Sequence, residues 1–234
     1  MQTARLNIQG QELELHPERV VFWKEGKALI LSDLHFGKVS HFRRHGIQLP
    51  ENASHHNFLR LRRVLDHYQP EEVFFLGDLF HSTANREFDT FADLLLDYAG
   101  QRFHLVKGNH DILPTRFYDR TPLEVHDEPF SIGPFQFHHH PVMELPSRKK
   151  LISSRTSENG PDFDPDAFHI AGHIHPGVVL KGAGRQYLRL PCFFRQALQM
   201  ILPAFGEFTG KATLDPRPGD EVYVIAEEEV VRFA

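Results

Sequence analysis

The chain has 234 residues, 41% of them hydrophobic and 24% charged, a balance that fits one globular domain over residues 1–234 and excludes wholesale disorder. Lys and Arg number 26 against 31 Asp and Glu, so the net charge of −5 argues against attraction of nucleic acid by the chain as a whole and leaves room for local basic patches. A single cysteine, Cys192, excludes a disulfide framework and a multi-cysteine zinc site.

The opening MQTARLNIQG lacks the charged start and apolar core of a secretory signal, position 2 is Gln rather than a myristoylated Gly, and apolar runs such as Val73–Leu76 are too short to span a bilayer. A cytoplasmic protein with no membrane partner is expected. The 17 histidines are scattered, with the longest run the internal His138-His139-His140, so they are not a tag. Imidazole is the commonest metal ligand.

In chain order, Leu13-Glu14-Leu15 alternates, and Val20–Trp23 and Ala28–Leu31 are apolar runs of strand length, with Gly26 marking a hairpin between them. A polar stretch holding Gly46 and Pro50 follows. Periodicity predicts a helix over 52–68, with Phe58, Leu61 and Leu65 on one face, Arg60, Arg62 and Arg63 on a solvated face, and Pro70 as the stop. Next come a buried strand over Val73–Leu76, a helix over 87–99 that turns Phe88, Phe91, Leu95 and Tyr98 inward before Gly100, and a strand over Phe103–Val106. This β-α-β-α-β order over 28–106 predicts parallel strands with right-handed crossovers. The second half reads as strands with few helices, over Phe135–Phe137, Phe168–Ala171, Tyr187–Leu190, Val222–Ala226 and Val230–Phe233. Residues 144–166 read as a long loop and a substrate-contact candidate.

The chemistry falls where predicted strands end: Asp33-Leu34-His35, Gly77-Asp78-Leu79-Phe80-His81, Gly108-Asn109-His110-Asp111, the histidine triplet before Pro141, and Gly172-His173-Ile174-His175. The carboxyl ends of strands are where α/β sheets bind ligands. Carboxylates, an amide oxygen and several imidazoles together suit a pair of divalent transition ions better than an all-oxygen Mg or Ca site. In an extended chain, Asp33 and His35 lie on one side and can share an ion, as can His173 and His175. Glycines 77, 108 and 172 permit tight turns and close backbone approach.

In this order, the motifs resemble the calcineurin-like metallophosphoesterase superfamily over residues 33–175. The flanking Phe42-Arg43-Arg44-x-Gly46, the wording Gly77 to His81 and the triplet before Pro141 resemble a narrower bacterial group, the ligase-associated DNA damage response metallophosphoesterases, also described as endonucleases. The resemblance implies an α/β metallophosphoesterase fold of two packed mixed β-sheets flanked by helices. It assigns Asp33, His35 and His175 to one ion, Asn109, His173 and one triplet histidine to the other, and Asp78 to both. The family spacing selects His139, and so does the strand phase of Phe135 and Phe137, with His138 facing the other way and His140 remaining an alternative. The ions are expected to be Mn, with Fe or Zn as alternatives.

His110 resembles the family's general acid. Where many members carry an Asp that orients this histidine, the chain has His81, so its partner is open, with Asp111 as a candidate. Lys38, Arg43 and Arg44 are candidates for gripping substrate phosphate, against the plainer reading of a solvated turn. Arg148-Lys149-Lys150 with Arg155 is a basic patch that reads more simply as ordinary surface. The implied activity is metal-dependent hydrolysis of a phosphodiester, with DNA as substrate, a role in repair, and a functional link to a DNA ligase and helicase. The alternatives are a small-molecule phosphomonoesterase or nucleotide pyrophosphatase and, from another class, a non-catalytic scaffold of the same fold.

Overall fold

The computed structural model describes residues 1–38, 53–81, 86–142, 162–182, 184, 186–207 and 209–233. Short runs of alternating or wholly apolar residues build two sheets. The first has seven strands in spatial and chain order: β1 (Ala4–Ile8), β2 (Gln11–His16), β3 (Val20–Trp23), β4 (Ala28–Leu31), β5 (Glu72–Leu76), β6 (Arg102–Val106) and β7 (Leu123–His126). β1 to β4 form an antiparallel meander, and β4 to β7 pair in parallel. Helix α1 (Ala53–Tyr68) lies in the crossover from β4 to β5, and α2 (Arg86–Asp97) in that from β5 to β6.

The period of two along each strand divides the core. Leu29, Leu31, Val73, Phe75, Phe103 and Leu105 turn to one face, where Phe58, Leu61 and Leu65 of α1 and Phe88, Phe91 and Leu95 of α2 cover them. Ala28, Ile30, Phe74, Leu76 and Val106 turn to the other and pack between the sheets against Phe135, Phe137, Phe168, Ile170, Phe193 and Met200.

The second sheet has nine strands: β8 (Phe130–Ile132), β9 (Phe135–His138), β10 (Phe168–Ala171), β11 (Pro176–Lys181), β12 (Tyr187–Gln196), β13 (Gln199–Ile201), β14 (Ala212–Thr213), β15 (Glu221–Ala226) and β16 (Glu229–Arg232). It is mixed: β10 is parallel to β9 and β13, whereas β12 is antiparallel to β11, β13 and β15. The outer face carries a smaller cluster of Val178, Cys192, Phe194, Ile201, Val222 and Val224. Burial pushes the Cys192 thiol up to about 12, so it is an inert packing group. Among the described residues the flanking helices lie on the first sheet only, where Tyr118 of the short α3 (Thr115–Tyr118) joins them.

Arg60 departs from the expected solvated face. It is buried, donates to a Glu18 carboxylate oxygen at 2.5 Å and to the Phe205 carbonyl at 2.7 Å, and stacks 4.4 Å from the Phe205 ring centre. Arg62 and Arg63 do stand at the surface. Arg60 thus braces a loop whose Phe205 and Gly206 N–H groups bond the carbonyls of Ser32 and Asp33. A buried arginine is tolerable here because its charge is matched and its donors are used.

Candidate metal centre

Five strands deliver their carboxyl ends to one crevice. Asp33 follows β4 by two residues, Asp78 follows β5 by two, Asn109 follows β6, His139 directly follows β9, and His173 follows β10. Three come from the first sheet and two from the second, so the packing of the sheets brings the groups together. Backbone bonds stitch the loops: Asp33 N–H to the Gly77 carbonyl, His35 N–H to that of Asp78, and Gly172 N–H to that of His139.

The local backbone differs from expectation. Asp33 and His35 are not on an extended chain; both are left-handed, with φ of 54° and 50°. Asp78, His173 and His175 are left-handed too, at 50°, 67° and 52°. Such φ values are rare outside glycine, and each stores on the order of 1–3 kcal/mol that surrounding bonds must hold. Each chain reverses sharply on leaving its strand and turns its polar side chain into the crevice. Gly77 has φ +75°, and a Cβ there would sit 2.2 Å from the His139 ring; a Cβ on Gly172 would sit 2.5 Å from the Asp33 carboxylate.

The crevice holds every predicted ligand. His175 Nε2 is 3.2 Å from Asp33 Oδ1 and 3.4 Å from His35 Nε2. His139 Nε2 is 3.0 Å from Asn109 Oδ1, 3.1 Å from His173 Nδ1 and 3.4 Å from Asp78 Oδ1. The other Asp78 oxygen faces His35 Nε2 at 3.9 Å, so the carboxylate lies between the two groups.

The Nδ1 partners set the tautomers of two of these rings. His139 Nδ1 lies 3.1 Å from the Leu76 carbonyl, and His175 Nδ1 lies 3.1 Å from that of Gly210. A carbonyl only accepts, so Nδ1 carries the proton in each ring. The Nε2 lone pairs then point at oxygens that also carry lone pairs, an arrangement that a cation between them would satisfy. A ring whose second nitrogen donates to a carbonyl is the usual form of a metal-bound histidine. With two carboxylates, an amide oxygen and imidazoles facing inward, the donor set fits borderline divalent ions.

Electrostatics point the same way. Burial opposes the charge of Asp33, yet the hydrogen bond from His175, with the charges of His175 and His139, outweighs it and holds the carboxyl below its usual range. Burial, then Lys38, pushes His35 down to about 2, and burial with His139 and His140 lowers His173. Both imidazoles are therefore neutral, the form that ligates. Lys38 is half-buried; desolvation lowers its pKa while Asp33 and Asp78 attract its charge.

The triplet divides by role. His138 points away and meets His169 Nδ1 at 3.0 Å, His139 is fully buried in the crevice, and His140 stands half-exposed with its ring 4.6 Å from that of His173. Glu128 escaped sequence reasoning. It accepts from the N–H groups of His139 and His140 and binds His140 Nδ1 at 2.6 Å.

The His110 side chain is 44% exposed, with Nε2 4.0 Å from Asp78 Oδ2, and its N–H donates to Asp78 Oδ1 at 2.9 Å. Asp111 is not turned to it. That carboxylate accepts from the N–H groups of Gly108, Leu79 and Phe80, and burial pushes it up to about 6. The His81 ring lies 5.1 Å from that of His110. Arg43, Arg44 and the 148–155 patch lie outside the described residues, as does most of the predicted 144–166 loop.

Residues 26–177, well over half of the chain, match the family model of the calcineurin-like phosphoesterases. The chain belongs to that family. The phosphoesterase is also similar over nearly its whole length to the crystal structure of the Pseudomonas putida nuclease MPE, at 26% identity and a TM-score of 0.74, covering 99% of this chain and 100% of that one. This likeness is consistent with the narrower DNA damage response group. YfcE, a phosphoesterase from E. coli, matches at 15% identity and a TM-score of 0.43 over 88% of this chain and 98% of that one, too distant to carry an argument. No curated protein matches the sequence. The family uses divalent metals, in keeping with the donor set above. Among the described residues no helix is long and apolar enough to cross a membrane.

Proposed function

We propose that the chain is a binuclear metal-dependent phosphodiesterase acting on DNA. In this reading Asp33, His35 and His175 would hold one ion, Asn109, His139 and His173 would hold the other, and Asp78 would serve both. The observation that carries it is the convergence of lone pairs: His139 Nε2 faces Asn109, His173 and Asp78, His175 Nε2 faces Asp33, and Asp78 presents one oxygen to each group. Mn is the proposed ion, with Fe or Zn as alternatives. When bound, such a pair supplies an acidified water and positive charge opposite the phosphoryl oxygens.

The chain's own residues supply the rest. His110, exposed at the rim and tied by its N–H to Asp78, is suited to protonate the leaving oxygen. Lys38 sets a cation beside the two carboxylates, where a phosphate oxygen would come to lie. Arg43 and Arg44 are proposed to add contacts to the same phosphate. The likeness to a nuclease supports DNA as the substrate. A setting in DNA repair rests on the sequence resemblance.

The net charge of −5 favours a second reading, a phosphomonoesterase or pyrophosphatase for small molecules. A substrate panel separates the two. Metal-free protein is reconstituted with Mn, Zn or Fe and offered oligonucleotides, aryl phosphodiesters and nucleotides. Cleavage of DNA and aryl diesters, with DNA binding that weakens as salt rises, is expected. Turnover of nucleotides alone would favour the second reading, and inertness of loaded protein across the panel would leave a scaffold.

A further inference from the structure

A second constellation of ligating side chains lies on the edge of the first sheet, outside the crevice. His104 of β6 faces the β7 residues Glu124 and His126; His104 Nδ1 is 3.1 Å from His126 Nε2 and 3.5 Å from Glu124 Oε2, and one ligand atom from each residue lies within 4.8 Å of the others. We propose that His104, Glu124 and His126 form a peripheral site for one zinc-like transition ion, independent of the crevice and of the activity assigned to it.

The geometry of His104 is that of a prepared ligand. Its Nε2 lies 2.7 Å from Glu72 Oε2, and Glu72 is itself paired with Arg102. Burial opposes the charge of Glu72, but the hydrogen bonds from Arg102 and His104 outweigh it and hold its pKa below the usual value. An ionised carboxylate only accepts, so the His104 proton sits on Nε2 and the Nδ1 lone pair is free to point outward. A carboxylate behind the ligating imidazole is the arrangement that fixes tautomer and orientation at zinc sites.

The rings are also held in place. Phe74 stacks on His104 at 4.6 Å, and Phe130 packs on His126 at 4.1 Å. Two donors at zinc–ligand distances of ~2.0–2.1 Å in a tetrahedral site stand about 3.3 Å apart. The observed separations of 3.1 and 3.5 Å bracket that value. Two His and one Glu leave a fourth position open to water, and the Glu124 side chain, 61% exposed, gives the ion a way in.

An ion there would pin β7, the edge strand of its sheet, to β6.

The test counts zinc. Wild-type protein, Glu124→Gln and His126→Phe are loaded with Zn²⁺, dialysed, and measured by inductively coupled plasma mass spectrometry. Each variant is expected to retain one ion fewer per chain than wild type, with phosphodiester hydrolysis unchanged. Glu72→Gln should weaken that one site by about 10–100-fold. Equal zinc content in wild type and both variants would overturn the proposal and leave an ordinary hydrogen bond from His126 to His104. The exposed Glu124→Gln change does not threaten folding and keeps the test sound if His126→Phe misfolds.

Discussion

The two histidine-rich regions are built by opposite backbone means. In the crevice, Asp33, His35, Asp78, His173 and His175 all sit on left-handed residues just past or between strands, held there by bonds among the loops. At the sheet edge, His104, Glu124 and His126 sit within β6 and β7, and strand register alone brings them together: His104 pairs with Glu124, and Val106 with His126. A site at strand ends draws on both sheets and surrounds its contents, as a centre that must grip a phosphate from several sides requires. A site within strands is confined to one edge, which suits a structural ion. Strain is concentrated where the chemistry is assigned and absent where only binding is.

The comparison predicts a graded set of responses. The largest belongs to Asp78→Asn, since an amide is a poor bridge between ions. Loss of a two-ion clamp worth several kcal/mol should slow hydrolysis of every ester by about 10⁴-fold and lower the retained metal. A variant with full activity would place the chemistry elsewhere.

His110→Ala should keep its metals, because Asn109 and not His110 is the proposed ligand. It should lose about 10³-fold on diesters with an alkoxide leaving group and far less on nitrophenyl esters, which hardly need a proton. Equal losses on both substrates would reject the acid role and point to phosphate positioning.

At the edge site, the Glu124→Gln and His126→Phe changes should leave turnover at the wild-type value. A parallel fall in activity and metal content would mean that the two regions are one system.

The smallest effect separates burial from ligation. His16 is buried, its Nδ1 accepts the Glu18 N–H at 3.1 Å, and burial lowers its pKa to about 4, against the pull of Glu18. The folded state therefore binds this proton less readily than the unfolded chain. The stability it contributes is complete above pH 6.5 and is lost as pH falls towards 4. His16→Asn, which keeps the acceptor, should flatten the acid limb of a denaturant-unfolding series over that range. An unchanged slope would remove His16 from the account of acid sensitivity.

Sequence periodicity revealed the parallel strands β4, β5 and β6 because Leu29, Leu31, Val73 and Phe75 alternate with residues packed between the sheets, leaving long apolar runs. It did not reveal β1 or β7, nor β11, which opens on Pro176-Gly177 and reads as a turn, nor β8, β13 and β14, which have three residues or fewer. Arg60 was misplaced by its charged neighbours, although Asn57 and Val64, three and four residues away on the same helix face, are both buried. The crevice was legible because each strand end carries a short motif. Its left-handed backbone was not, since Asp-x-His has the same spelling in an extended chain. Glu128 carries no motif, and the grouping of His104, Glu124 and His126 depends on strand register, so neither could be read before the fold.

In the proposed arrangement Asp78 lies between two ions. The direct measurement is anomalous diffraction at the manganese edge from crystals of metal-free protein soaked in Mn²⁺. Two peaks are predicted, one among Asp33, His35 and His175, the other among Asn109, His139 and His173, with an Asp78 oxygen reaching each. A single peak in the crevice, or two peaks neither of which touches Asp78, would contradict it.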